Sequence, residues 1–319
     1  MRRFLFWGAL SFAILGSQSS SIAEPPDAPP GDPPTGSAPA APGVPLVPAG
    51  SALTATAVPS ASAPASGLDL PNHASVSCGS ANRGALADPA HLEPKGPGYV
   101  VPETWEKRDA SYGTDELVGL IRRAARSVEA QYPGSLLGVA DLSKPTGGAA
   151  PGHRSHQSGR DVDLLYYARD ENDQPFPPDD LMPVYTRSGK ASYSEAPTWQ
   201  KNIPVRYFDL ARNWALVVAV LSDPDAVVTH IFVARRIKRW LLDYATASHA
   251  DPELIEKAKL VLSSPKNVRA HTDHMHLRIA CPRGDISTGR CQNDNAPPRR
   301  KGGPWHVRLR CPRPRPPTN

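Results

Sequence analysis

Two stretches more than a hundred residues apart constrain this 319-residue chain more than anything else in it. One is Gly152-His153-Arg154-Ser155-His156-Gln157-Ser158-Gly159-Arg160-Asp161-Val162-Asp163, the other His271-Thr272-Asp273-His274-Met275-His276. Together they hold five of the ten histidines, set beside carboxylates. Imidazole nitrogen and carboxylate oxygen are the usual ligands of a catalytic zinc, which keeps one coordination position open for water. The chain therefore reads as a metallohydrolase whose fold must unite the two stretches.

Periodicity suggests how. If residues 274 to 281 form a strand, alternation puts His274, His276, Arg278 and Ala280 on one face and Met275, Leu277, Ile279 and Cys281 on the other. Asp161 and Asp163 likewise share a face opposite Val162, Leu164 and Tyr166. Gly152, Ser158 and Gly159 place His153 and His156 in a turn or loop leading into that strand. A sheet would then hold one ligand set and a loop the other. The isolated His73, His91, His230, His249 and His306 read as surface or hydrogen-bonded residues.

The strings GHRSHQSGRDVD and HTDHMHLRIACP resemble the LAS group of zinc peptidases that act on bacterial cell-wall peptides, and within it the penicillin-insensitive murein endopeptidase family. In that group a His is followed seven positions later by an Asp, and a distant His-x-His supplies the third ligand. Further similarity runs through Val228-Thr229-His230-Ile231-Phe232-Val233, so the resemblance extends from Ser75 to Pro312. It implies His156, Asp163 and His276 as zinc ligands, with His153 as a candidate fourth. It implies His274 as general base or transition-state stabiliser, with His271 a further histidine of the pocket. Asp161 does not fit the ligand spacing and reads as a group that bonds backbone or orients a ligand histidine.

The reaction implied is zinc-dependent hydrolysis of D-alanyl-meso-diaminopimelyl crosslinks in peptidoglycan by metal-activated water. Zinc lowers the pKa of bound water to about 7 and polarises the carbonyl under attack. No nucleophilic serine is needed, and the chain has no Ser-x-x-Lys, Gly-x-Ser-x-Gly or His-Glu-x-x-His motif. Two other readings stand beside it: a D,D- or L,D-carboxypeptidase on stem peptides, and a wall-binding module that keeps zinc without catalysis. The extra imidazoles at 271 and 274 favour an enzyme, since a structural zinc closes its shell with four ligands.

Arg2-Arg3, the apolar run Phe4 to Gly16 and Ser21-Ile22-Ala23 read as a secretory signal peptide over 1–23, which predicts a periplasmic protein. The run is too short for a membrane span. Residues 24–70, dominated by Pro, Ala, Gly and Ser, cannot bury a core and read as a disordered linker. The catalytic domain is expected over 71–312, followed by a disordered basic tail at 313–319. A formal net charge of +5 suits either attraction to an anionic wall polymer or an ordinary surface. Nucleic-acid binding is not expected, because basic and aromatic residues are not interleaved.

Within the domain, helices are predicted over 115–131 with Thr114 as N-cap, and over 207–221, 235–246 and 252–262. Strands are predicted over 136–142, 161–167, 227–233 and 274–281. This is an α+β pattern, a single domain with a largely antiparallel sheet flanked by helices, and the resemblance implies the same. Trp214, in an apolar helix, reads as core, while Trp305 could line a groove. Cys78, Cys281, Cys291 and Cys311 suit disulfides in an exported protein, and three pairings are open. The resemblance favours Cys281–Cys291 and Cys78–Cys311.

Overall fold

The structure, a computed structural model, describes residues 75–193, 203–264 and 271–293. The expected signal peptide, linker and basic tail lie outside the described residues, as do His73, Trp305, His306 and Cys311. Among the described residues no helix is long and apolar enough to cross a membrane.

A four-stranded sheet carries the two marked stretches. Its central strand, His274–Ile279, pairs antiparallel with Asp161–Leu165 on one side and with Val228–Phe232 on the other. Leu262–Ser263 completes the sheet, parallel to Val228–Phe232. The alternation in sequence becomes two faces: Val162, Leu164, Ile231, Met275, Leu277 and Ile279 are essentially without exposure and belong to one continuous core. Burying a side chain of that size stabilises the fold by about 1.5–3 kcal/mol. The same alternation forces Asp161, Asp163, His274, His276 and Arg278 onto the opposite face.

Helices complete the core. Asp115–Gln131 starts at Thr114, whose side chain accepts from Leu117 N, and it buries Leu117, Val118, Leu120, Ile121, Ala124, Ala125 and Val128. It packs on Leu210–Leu221, which in turn meets Arg235–Ala247 and Pro252–Val261. Arg123 ties the first of these to the loop beyond the second through a two-point bond to Asp223 at 2.8 and 2.9 Å. Trp214 is buried in that core, as its setting in an apolar helix predicts. Among the described residues five smaller sheets of two or three strands accompany the four-stranded one, and most of the pairing is antiparallel. The α+β reading holds.

Boundaries differ where local chemistry intervenes. The second helix starts at Leu210, not 207, because Tyr207–Phe208 pairs with Ala168–Arg169 and Asp209 caps the helix by accepting from Arg212 N. The predicted 136–142 strand keeps ladder pairing only at Leu137–Gly138. Beyond it lie a single bridge, Val139 to Leu164, and mutual backbone bonds with Asp163. The ligand strand stops at Ile279, and Cys281 enters a disulfide with Cys291. That bridge brings the following segment back to the first hairpin, where Gly79 N donates to Arg290 O and Gln292 N donates to Gly79 O. Cys78 in this hairpin is also disulfide-bonded; its expected partner, Cys311, is outside the described residues.

Candidate metal centre and cleft

The sheet register sets the site. His276 stands opposite Asp163, and Arg278 stands opposite Asp161. His276 Nδ1 lies 3.0 Å from Asp163 Oδ1 and 3.3 Å from His156 Nε2, and His156 Nε2 lies 3.4 Å from the same Oδ1. His274 adds Nε2 at 3.6 Å from that oxygen. Three imidazoles thus converge on Asp163 Oδ1, yet this buried oxygen makes no aligned hydrogen bond among the described residues.

His156 comes from the loop, and its place there is held at some backbone cost. Its φ is 66°, in the left-handed region that side chains disfavour, and its ring is fully buried. Nδ1 is 2.7 Å from Leu142 O, so it carries the proton and leaves the Nε2 lone pair facing the cluster. Gly159 lets the chain leave this loop at φ 73°: a Cβ there would sit 2.6 Å from Leu86 Cδ1. His276 is oriented similarly, with Nε2 2.9 Å from Asp161 Oδ1. Both rings therefore turn toward Asp163 the nitrogen that a metal would bind, each held from behind by an acceptor.

His153 lies further out. Its Nε2 is 2.9 Å from Asp141 Oδ2, which also accepts from Arg108 Nη1 at 2.7 Å, and its Nδ1 is 3.7 Å from Asp163 Oδ2. By mutual proximity His153, His156 and Asp163 form a group able to hold a metal, with ligand atoms within 4.8 Å of one another. His276 approaches the carboxylate more closely than His153 does, and its free nitrogen points at the cluster. The donor set fits a metal on this test: a tetrahedral ion with bonds of about 2.0–2.2 Å holds its donors about 3.3–3.6 Å apart. The His156, Asp163 and His276 edges of 3.0, 3.3 and 3.4 Å come close to that.

Charge follows geometry. Burial opposes ionisation of Asp163, but His156 and His274 hold its carboxyl well below the usual range. Burial likewise opposes charge on His276, and the Asp161 and Asp163 carboxylates outweigh it, pushing the ring up to about 9. His274 is raised against burial by Asp163 and by Asp273, whose Oδ1 is 2.9 Å from Nδ1. His271 behaves oppositely: burial and the neighbouring imidazoles push it down to about 4, so it is neutral at pH 7. Its Nδ1 is buried with no hydrogen-bond partner among the described residues. Its backbone carbonyl accepts from Tyr166 Oη at 3.1 Å and from Ala234 N.

The cluster floors a cleft of about 860 Å³, walled by Trp105, Arg108, Met182, Tyr193, Phe232 and Arg278. His153, Asp163, His271, His274 and His276 all reach it, while His156 lies behind them. Of the isolated histidines, His91 and His249 are exposed, and His230 stacks on Phe232 at 5.1 Å. Two carboxylates received no role from the sequence. Asp273 lay inside the second stretch, where a carboxylate next to a histidine was signal enough. Asp141, twelve residues before His153 in a run of apolar residues, offered none.

An α+β domain whose sheet and loop set a metal-competent histidine and carboxylate cluster in an open cleft is the class these observations define. The profile described as penicillin-insensitive murein endopeptidase matches residues 77–305. A protein of that name from Klebsiella pneumoniae subsp. pneumoniae is 29% identical over 227 residues, 70% of this chain and 71% of the relative. One from Escherichia coli O157:H7 is 29% identical over 253 residues, 77% and 81% of the two chains. One from Escherichia coli O6:K15:H31 is 30% identical over 228 residues, 70% and 71%. The chain belongs to the penicillin-insensitive murein endopeptidase family.

Proposed function

We propose that this protein is an exported, periplasmic zinc endopeptidase that hydrolyses D-alanyl-meso-diaminopimelyl crosslinks in peptidoglycan. The observation that carries the reading is Asp163 Oδ1, buried in a cleft and faced by nitrogens of His156, His274 and His276 at 3.0–3.6 Å without an aligned hydrogen bond. Family membership supplies the substrate: the relatives are named as murein endopeptidases.

His156, Asp163 and His276 would hold the zinc, with His153 the candidate fourth ligand. When bound, the ion supplies a water activated at neutral pH and a Lewis acid for the scissile carbonyl. His274 takes the proton at Nε2, because the Asp273 carboxylate, with Oδ1 2.9 Å from Nδ1, stabilises the charged ring. It then returns that proton to the leaving amine. His271, neutral and with Nδ1 unengaged, offers a hydrogen bond to charge developing on the carbonyl oxygen. Serine takes no covalent part, so β-lactams that acylate serine should not inhibit.

The test is mass spectrometry of purified muropeptide dimers and monomers after digestion by zinc-loaded protein. Conversion of dimers to monomers supports the endopeptidase. Loss of a terminal residue alone would make the protein a carboxypeptidase, and intact peptides with bound zinc would make it a wall-binding module.

A further inference from the structure

One carboxylate oxygen behind the cluster serves two donors. Asp161 Oδ1 is 2.9 Å from His276 Nε2 and accepts from Arg278 Nε at 2.6 Å. Asp161 is fully buried, and its other oxygen, Oδ2, has no hydrogen-bond partner among the described residues. The shortest contact that orients His276 Nε2 is therefore made by an oxygen that Arg278 also grips, with Ser155 Oγ further off at 3.5 Å. Arg278 reaches it because it lies two residues beyond His276 on the same strand face, opposite Asp161 in register. Its guanidinium, itself buried, lies 5.6 Å over the ring of Phe232, which stands opposite His276 on the other neighbouring strand.

We propose that Arg278 is a positioning residue for the metal centre: by holding Asp161 Oδ1 it fixes the form of His276 that is protonated at Nε2 and bare at Nδ1. An imidazole must choose one nitrogen for its proton, and only the Nδ1 lone pair of His276 faces Asp163 and His156. Without Arg278 the Asp161 carboxylate is free to rotate and exchange its oxygens, and His276 loses its fixed acceptor. A planar guanidinium that stays charged, stacks on an aromatic ring and aims one N–H suits this task; the mobile ammonium of lysine does not. On the other flank Asp141 Oδ2 joins His153 and Arg108 in the same pattern, but that arginine is half exposed, so its hold is weakened by solvent.

The inference rests on His276 being a ligand, as proposed above, and the test separates the two. Zinc affinity is measured by competition with a chromogenic chelator for the wild type, R278Q, R278K, D161N, the R278Q/D161N double variant and H276A, with thermal unfolding of each zinc-free protein as the folding control. R278Q is expected to weaken zinc binding about tenfold, R278K by less, and D161N by about 10- to 100-fold. Because Arg278 acts through Asp161, the double variant should bind no more weakly than D161N alone. Unchanged affinity in R278Q, or effects that multiply in the double variant, overturns the proposal; should R278Q not fold, unchanged affinity in R278K does so. Wild-type affinity in H276A would instead overturn the ligand assignment, whatever R278Q shows.

Discussion

His276 and Asp163 face each other across one antiparallel strand pair, with Nδ1 3.0 Å from Oδ1. Two of the three proposed ligands are thus fixed by backbone register, while the third, His156, is delivered by a loop at a left-handed backbone position. A sheet pair backed by Met275, Leu277 and Val162 without exposure is rigid, and the loop is the part a metal would have to hold. Chelation should accordingly speed amide hydrogen exchange across 152–159 more than across 274–279. Equal loosening of both would contradict this division.

His274→Ala should keep zinc and lose turnover. Its Nε2 is 3.6 Å from Asp163 Oδ1, the longest of the three imidazole approaches, and Asp273 holds it as a proton carrier. General acid–base help is worth about 10²–10⁴-fold, so kcat should fall by that factor at unchanged metal content. Unchanged kcat removes the catalytic role, and lost zinc makes His274 a ligand.

Gly159→Ala should destabilise the domain by about 1–3 kcal/mol, since the new side chain would occupy a left-handed φ. Its Cβ would also press on Leu86 at 2.6 Å. Denaturant unfolding of the zinc-free protein measures the loss, and wild-type stability would show that the turn can relax.

These particulars show what was legible beforehand. Period-two alternation over 274–279 and 161–165 announced both faces of the sheet, since one face had to be apolar throughout. The helix at 115–131 was readable to the residue because a capping threonine and an apolar stripe agreed. The contacts of Asp141 and Arg108 were not readable, because they depend on a strand that dissolves into single bridges after Gly138. Nor was the left-handed backbone at His156, for a histidine carries no local mark of positive φ as a glycine does. Asp161 was read as bonding backbone or orienting a ligand histidine, and its Oδ1 lies 2.9 Å from His276 Nε2; its grip by Arg278 needed the register.

Reduction should unlatch the C-terminal side of the ligand strand. Removing the Cys281–Cys291 bridge, which closes a separation of 10 residues, should cost about 3 kcal/mol on the chain-entropy account. Urea unfolding of the C281S/C291S protein tests this. Non-reducing peptide mapping should return that pair together with the proposed Cys78–Cys311, and free thiols at all four positions would refute both.

Glu116 sets a pH dependence away from the site. Burial raises its carboxyl above the ordinary value against the lowering effect of its backbone and Thr114 bonds, and Oε2 has no partner among the described residues. A carboxyl raised in the folded state is penalised when charged, so this cost is absent below the ordinary glutamate range and fully present above the raised value. Glu116→Gln should raise stability at pH 7 and flatten its change between the two. Thermal unfolding across pH 4 to 8 measures it, and a variant less stable than wild type at pH 7 would contradict the assignment.

The most direct test of the central claim is zinc stoichiometry and crosslink hydrolysis measured on the same preparations of wild type, His156→Ala, Asp163→Ala and His276→Ala. Wild type should carry about one zinc per chain and split dimeric muropeptides to monomers, and each variant should lose both metal and turnover. Full hydrolysis with stoichiometric zinc in His156→Ala or His276→Ala would contradict that claim.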